Sequence, residues 1–267
     1  MTITPIPILL YHSVSDQPAP AIGPYSVTRS TFERQLDLLL DSGRQVVTVS
    51  DLVDRVSSHQ PSPRALAAIT FDDGFKDTLD VAAPMLKERG LTATAYLTTG
   101  YLAREPGGPS VSPPGQMLAW SQVRELEMAG LEVAAHTHTH PHLDILPPAQ
   151  AGEEVRRSKD LLEGELGHRV RSFAYPHGYA SSFLRREVRA AGFDSACGVA
   201  NRLSHPGDDR WYLARLTVRV DTPLATFAQW LRGAGAPLAR PGETVRMRGW
   251  RQVRRLRHLT SALAGRA

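Results

Sequence analysis

Short apolar runs alternate with helical patches along this chain, and no other feature limits its fold as much. Runs at 6–11, 45–48, 65–71, 92–97, 132–135, 172–175, 193–199 and 213–220 read as strands. Between them, residues 30–41, 78–88, 120–128, 149–166, 182–191 and 224–231 show helical spacing, and a further helix is expected to be capped at Ser50. Ser30 or Thr31 is expected to cap the first of these helices, and Gly90, Gly130 and Gly167 to close three others. Repeated strand–helix units build an α/β fold, a parallel sheet with helices outside, either doubly wound or closed into a barrel. Both architectures collect their chemistry at the carboxyl ends of the strands. His12, the pair Asp72 and Asp73, His136, and Pro176 with His177 each directly follow an expected strand. Four such strand ends converging on one face favour a barrel.

Composition narrows the classes further. With 267 residues, 42% hydrophobic and 22% charged, the chain can form one large domain or two small ones, and α/β barrels reach this size as one unit. Net charge is only +4, and the last 22 residues hold seven arginines and no acid. Without them the body is slightly acidic, which argues against a nucleic-acid partner. The division expected is therefore a barrel domain over 1–235 and a basic tail over 236–267. In that tail Trp250, Val253, Leu256, Leu259 and Leu263 recur at helical spacing among arginines. This pattern suits either peripheral contact with an anionic membrane or a terminal helix packed on the barrel. Cys197 is the sole cysteine, so neither an intramolecular disulfide nor a cysteine zinc cage is available. The first residues lack a basic cluster and are interrupted by Pro5 and Pro7. They read as a first strand rather than a signal peptide, and the expected location is cytoplasmic. The long Pro/Gly loop at 103–119 is expected to wall a groove.

Two dense spots carry the chemistry. Asp72 and Asp73 are adjacent, and neighbouring strand residues point to opposite faces. They can share a site only where the strand ends and Gly74 lets the backbone turn. One could then ligate a metal while the other stays free as a base; the plain alternative is a helix N-cap. Carboxylate pairs of glycosidases and aspartic proteases come from separate strands or lobes, so sequence neighbours do not fit those classes. The second spot holds His136, His138, His140 and His142 within seven residues. Two imidazoles and one carboxylate leave positions open on a divalent cation for water and substrate. His136/His140 and His138/His142 share the same spacing, so spacing admits either pair, and a loop of exposed histidines is the bland reading. The two spots together point to metal-assisted hydrolysis.

With both motifs in view, the chain resembles the NodB-type polysaccharide deacetylases, a carbohydrate esterase family. Thr70-Phe71-Asp72-Asp73-Gly74 matches that family's first motif, and the stretch Gly130 to Pro141 is similar to its second, His-Thr-x-x-His. Phe173-Ala174-Tyr175-Pro176-His177-Gly178 resembles the third. Leu9-Leu10-Tyr11-His12 looks like the family's Leu-x-His element, here at the front of the chain. That position implies the circularly permuted branch, similar to enzymes that deacetylate poly-N-acetylglucosamine. The resemblance covers about residues 6–220 and implies a deformed (β/α) barrel of about seven parallel strands. It makes Asp73, His136 and His140 ligands of one divalent metal ion, zinc first, with cobalt, nickel or manganese as alternatives. It makes Asp72 the general base and His12 the general acid, and it places oxyanion and substrate contacts at Tyr175 and His177.

The implied activity is hydrolysis of an acetyl group, N-acetyl first, from a sugar, polysaccharide or glycoconjugate. The alternatives are an amidase for non-sugar amides or cyclic imides, and a silent carbohydrate-binding domain. Two departures stand out. Ala174 occupies a place where the family commonly has an arginine that orients the catalytic aspartate; Arg215 or Arg171 could substitute. No counterpart of the Asp-Trp motif that tunes the acid histidine is evident. Tyr11, Phe75, Tyr101, Trp120, Tyr175 and Tyr179 lie near the motifs and could stack on sugars or simply pack.

Overall fold

β1 (Ile8–Tyr11) is apolar and buried at every position. The short strands β2 (Ser13–Val14), β3 (Ser26–Val27) and β4 (Gln45–Val46) separate it in sequence from β5 (Leu66–Phe71), which is also buried throughout. Strands of that kind are stable only where a sheet is covered on both faces. The computed structural model describes residues 4–58, 64–104, 108–240, 249 and 254. The remaining strands are β6 (Thr94–Leu97), β7 (Glu132–Ala135), β8 (Ser172–Ala174), β9 (Ser195–Cys197) and β10 (Leu216–Thr217). Their order is β10-β1-β5-β6-β7-β8-β9, parallel throughout, with β4 added beside the start of β5. The segment 213–217 spans the two edges. Leu213 bridges to Cys197, and Leu216 and Thr217 pair with Leu9 and Leu10. The sheet thus curls into a deformed (β/α) barrel of seven strands, with β1 seated between β10 and β5.

The helices are α1 (Arg29–Asp41), α2 (Val49–Ser57), α3 (Ala83–Glu88), α4 (Val123–Met128), α5 (Pro148–Leu166), α6 (Ser182–Ala190) and α7 (Leu224–Leu231). Strand alternation sorts the core into two sets. Leu9, Tyr11, Ile69 and Phe71 face the helices, whereas Ile8 and Ala68 join Ala134, Ala174 and Cys197 in a separate cluster. Val49, Leu52 and Val53 of α2 belong to that second cluster, so α2 packs against this inner set. The inner set includes three alanines, Ala68, Ala134 and Ala174, beside the large ring of Tyr96.

Several local expectations change. Thr28 caps α1 and Thr48 caps α2, accepting from the amides of Thr31 and Asp51, so Ser30 and Ser50 lie inside the helices. The stretch expected as one helix over 78–88 opens with a π turn, Thr78–Ala82, before α3. Pro84 has no N–H for the regular ladder, which suits a widened turn at that point. β2 and β3 form a small parallel pair not anticipated from the apolar pattern. Residues 237–239 pair with Leu203. The amphipathic pattern over 246–267 lies outside the described residues except for Gly249 and Arg254. Among the described residues no helix is long and apolar enough to cross a membrane.

Candidate active site

The carboxyl end of β5 makes the turn that the acidic pair requires. The Asp72 amide still donates to Tyr11 O at 2.9 Å, in register with the sheet. Asp73 then takes φ +76° and Gly74 φ +91°. A side chain at Gly74 would be strained at that φ and would meet Leu97 Cδ2 at 3.1 Å. This reversal brings both carboxylates into one pocket.

Their surroundings differ sharply. Arg215, fully buried, donates from Nη1 to Asp72 Oδ1 and from Nη2 to Asp72 Oδ2, each at 2.7 Å. Nη1 also donates to Thr70 Oγ1, and Nε to Gly198 O. Burial alone would raise the Asp72 pKa, but the Arg215 guanidinium, helped by His136, overcomes it and holds the group at about 2. Asp72 is therefore ionised. Burial lifts Asp73 to about 6, with the Asp72 charge adding to the rise. Arg171, the other arginine considered for the place opposite Ala174, pairs instead with Asp54 and Asp194 at 2.8 and 2.7 Å, partly exposed.

The second motif follows β7. His136 Nε2 and His140 Nε2 lie 3.5 and 3.3 Å from Asp73 Oδ1, and all three donor atoms fall within 4.8 Å of one another. His138 turns to Thr99 Oγ1 at 2.9 Å, and His142 stacks on His177 with centroids 3.9 Å apart. The loop that accomplishes this carries left-handed backbone at Thr137 and His140, φ +65° and +58°. Glu154, from α5, holds it. Its carboxylate accepts the amides of His138 and Thr139 at 2.9 and 2.8 Å and the Thr139 hydroxyl at 2.7 Å. Among the described residues, five that are not glycine have positive φ, and four of them, Asp73, Thr137, His140 and His177, belong to this site. Strain of this kind persists only where the surroundings over-determine it.

The three donors fit a divalent cation. Asp73 Oδ1 is buried and has no hydrogen-bond partner among the described residues. His136 Nδ1 lies 2.8 Å from Ala174 O, which can only accept, so Nδ1 carries the proton and Nε2 presents a lone pair. Burial keeps both imidazoles neutral, lowering His136 to about 3 and His140 below its ordinary value. Ligands at about 2.1 Å in a tetrahedral array lie about 3.4 Å apart, close to the two separations from Asp73 Oδ1.

His12 follows β1 and enters the same cavity, of about 430 Å³, that Asp72, Asp73, His136, His140 and His177 line. The Ser13 hydroxyl and Val14 amide next to it both donate to Asp77, at 2.6 and 3.2 Å, which fastens this strand end. Among the described residues His12 Nδ1 is buried without a hydrogen-bond partner, and its ring lies 5.2 Å from that of Tyr25. His177, with φ +57°, lies in the turn after β8. Tyr175 does not join it. The Tyr175 amide donates to Cys197 O and its hydroxyl to Trp211 O, and its ring packs on Phe173 in the core. Those contacts commit the Tyr175 side chain to the core.

Of the other nearby aromatics, Tyr101 and Tyr179 line the cavity, joined by Tyr25, while Tyr11 and Phe75 are buried in the core. Trp120 lies elsewhere, beneath Arg104. Pro114 brings the 103–119 loop to the cavity wall. Glu154 and Tyr25 belong to no motif in the sequence.

Comparison with known proteins bears on the family and the fold. A family model described as polysaccharide deacetylase matches residues 59–196. The YxkH protein of Bacillus subtilis (strain 168) is 26% identical over 215 residues, covering 80% of this chain and 71% of that protein. A poly-beta-1,6-N-acetyl-D-glucosamine N-deacetylase of Staphylococcus aureus (strain MRSA252) is 21% identical, covering 77% and 72%. The structure of IcaB from Ammonifex degensii superposes with a TM-score of 0.73 at 26% identity, over 87% of this chain and 98% of that one.

Proposed function

The chain belongs to the polysaccharide deacetylase family, and from that premise we propose that it is a metal-dependent hydrolase removing the N-acetyl group from an aminosugar polymer or glycoconjugate. Asp73, His136 and His140 would hold one divalent cation, zinc first among the candidates. The cation supplies, when bound, a Lewis acid that polarises the acyl oxygen and lowers the pKa of a nearby water.

The chain's own residues do the rest. Asp72, ionised and clamped by Arg215, keeps lone pairs beyond those given to the guanidinium and takes the proton of the attacking water. Its low pKa makes it a weak base, which suits a water already made acidic. The His177 amide, in its left-handed turn, donates to the acyl oxygen as negative charge develops there. His12 delivers a proton to the departing amine, which is a poor leaving group until protonated. Tyr25, Tyr101 and Tyr179 offer apolar ring faces to the sugar.

One observation carries this reading: two sequence neighbours, Asp72 and Asp73, with opposed surroundings. One is locked as an anion by Arg215, and the other holds a bare oxygen toward two imidazole nitrogens. Paired carboxylates whose pKa values are pushed apart mark divided roles.

The test is acetate release from β-1,6-linked N-acetylglucosamine oligomers by protein stripped with chelator and then reloaded with zinc or cobalt. Release that requires the metal supports the reading. Metal-independent release contradicts the metal's role. Hydrolysis of a cyclic imide without release from any acetylated sugar would move the substrate class to non-sugar amides.

A further inference from the structure

Arg254 belongs to the basic C-terminal stretch, yet it lies over the ring of Tyr179, its guanidinium carbon 3.6 Å from the centroid. Tyr179 lines the catalytic cavity beside His177. The same guanidinium donates to Asp144 Oδ2, on a carboxylate only 3% exposed, and the arginine is itself 16% exposed. From Tyr179 a row of ring contacts runs inward. Tyr179 meets His142 at 5.8 Å, His142 meets His177 at 3.9 Å, and His177 meets His140 at 4.7 Å. One arginine therefore joins the far end of the chain to rings that lead to the cation site.

An ion pair that merely docked a tail would resemble Arg169 with Asp194, where the arginine is 56% exposed. Arg254 differs in both of its contacts. Its acid partner is buried, and its second partner is a ring of the cavity wall. A tyrosine on a loop can swing about its side-chain torsions, and a cation lying on one face restrains it. The ring so held stays partly exposed at the cavity wall, where a ligand can meet it. Aromatic faces suit the C–H faces of pyranose rings, whose flat side is apolar.

We propose that Arg254 is a positioning residue for substrate. Anchored by Asp144, it holds Tyr179 as the wall of a subsite for the sugar unit next to the one that loses its acetyl group. The C-terminal stretch thereby sets how tightly an oligosaccharide is held. This inference rests on the deacetylase reading above and goes beyond it by naming the subsite and its support.

The experiment compares full-length, zinc-loaded wild type with R254A and R254K on a β-1,6-linked N-acetylglucosamine pentamer, measuring kcat, KM, bound zinc and calorimetric affinity for the pentamer. Expected is a KM about tenfold higher in R254A with kcat within about twofold, partial recovery in R254K, and one zinc per chain throughout. An unchanged KM overturns the inference. So does a fall in kcat that parallels loss of zinc, since that reports general loosening. A pentamer that wild type binds without turnover contradicts the deacetylase reading alone. Weaker binding by R254A then still supports the subsite, and equal binding overturns it. A pentamer that wild type neither binds nor hydrolyses overturns both.

Discussion

Arg215 and Asp72 meet inside the barrel through two parallel hydrogen bonds of 2.7 Å, although 143 residues separate them in sequence. The segment that closes the barrel between β9 and β1 delivers the arginine to the place where Ala174 offers only a methyl group. The pair fixes the charge and orientation of the Asp72 carboxylate at once.

Removing one partner leaves the other charge buried alone. R215M is expected to lose about 3–5 kcal/mol of stability in urea denaturation, and D72N/R215M to lose less. Asp72 also makes stability depend on pH. Its folded pKa of about 2 lies below the ordinary 3.8, so its contribution is full above about 3.8 and is lost as pH falls toward 2. Wild type should therefore lose stability more steeply than D72N over that window. Parallel curves would show that the clamp does not depress this carboxyl.

Asp72→Asn is expected to keep the metal and lose turnover. The amide preserves the shape but cannot accept the water's proton, a loss of roughly 10²–10⁴-fold in kcat. Elemental analysis of the purified variant checks the first half and acetate release the second. Near-normal turnover, or loss of metal, would overturn the role given to Asp72.

Glu154 touches no reacting atom, yet it takes three hydrogen bonds from the loop that presents His140. Glu154→Ala is expected to weaken zinc binding by roughly 10–100-fold, as outer partners of metal ligands do when removed. Glu154→Gln, which keeps an acceptor oxygen, should fall between. Isothermal titration with zinc measures both, and an unaltered affinity in Glu154→Ala would show that the loop holds its shape without the clamp.

Cys197 is fully buried and accepts a hydrogen bond from the Tyr96 hydroxyl at 3.3 Å. Burial raises its thiol to about 11, so almost no thiolate exists at neutral pH. A disulfide reagent at pH 8 is expected to leave the folded protein unlabelled and to label one thiol per chain in denaturant. Rapid labelling of the folded state would contradict the barrel packing around β9.

What could be read before the structure, and what could not, follows from the range of each interaction. β7 and α7 fall where the periodic pattern sets them, over 132–135 and 224–231, because strand and helix periods are local. The caps of α1 and α2 shift to Thr28 and Thr48 because several Ser and Thr compete in each stretch and local chemistry ranks them nearly alike. The acidic pair and the histidines stand out as residue types, but i,i+4 spacing cannot choose between two pairs. The choice made by the fold depends on left-handed backbone at Thr137 and His140 and on Glu154 in α5. Tyr175 stands inside the third motif, and its ring packs on Phe173 in the core, a placement the motif alone does not specify. The ion pairs of Arg215 with Asp72 and of Arg254 with Asp144 span 143 and 110 residues, and only the folded chain reveals those.

The most direct measurement is the zinc content of the full chain and six single variants after equilibration and desalting. Wild type, His138→Ala and His142→Ala should each retain one ion, whereas Asp73→Asn, His136→Ala and His140→Ala should retain little, with Asp72→Asn still loaded. Zinc kept by the Asp73, His136 and His140 variants, or lost from the His138 and His142 variants instead, would contradict the cation site on which the proposed chemistry rests.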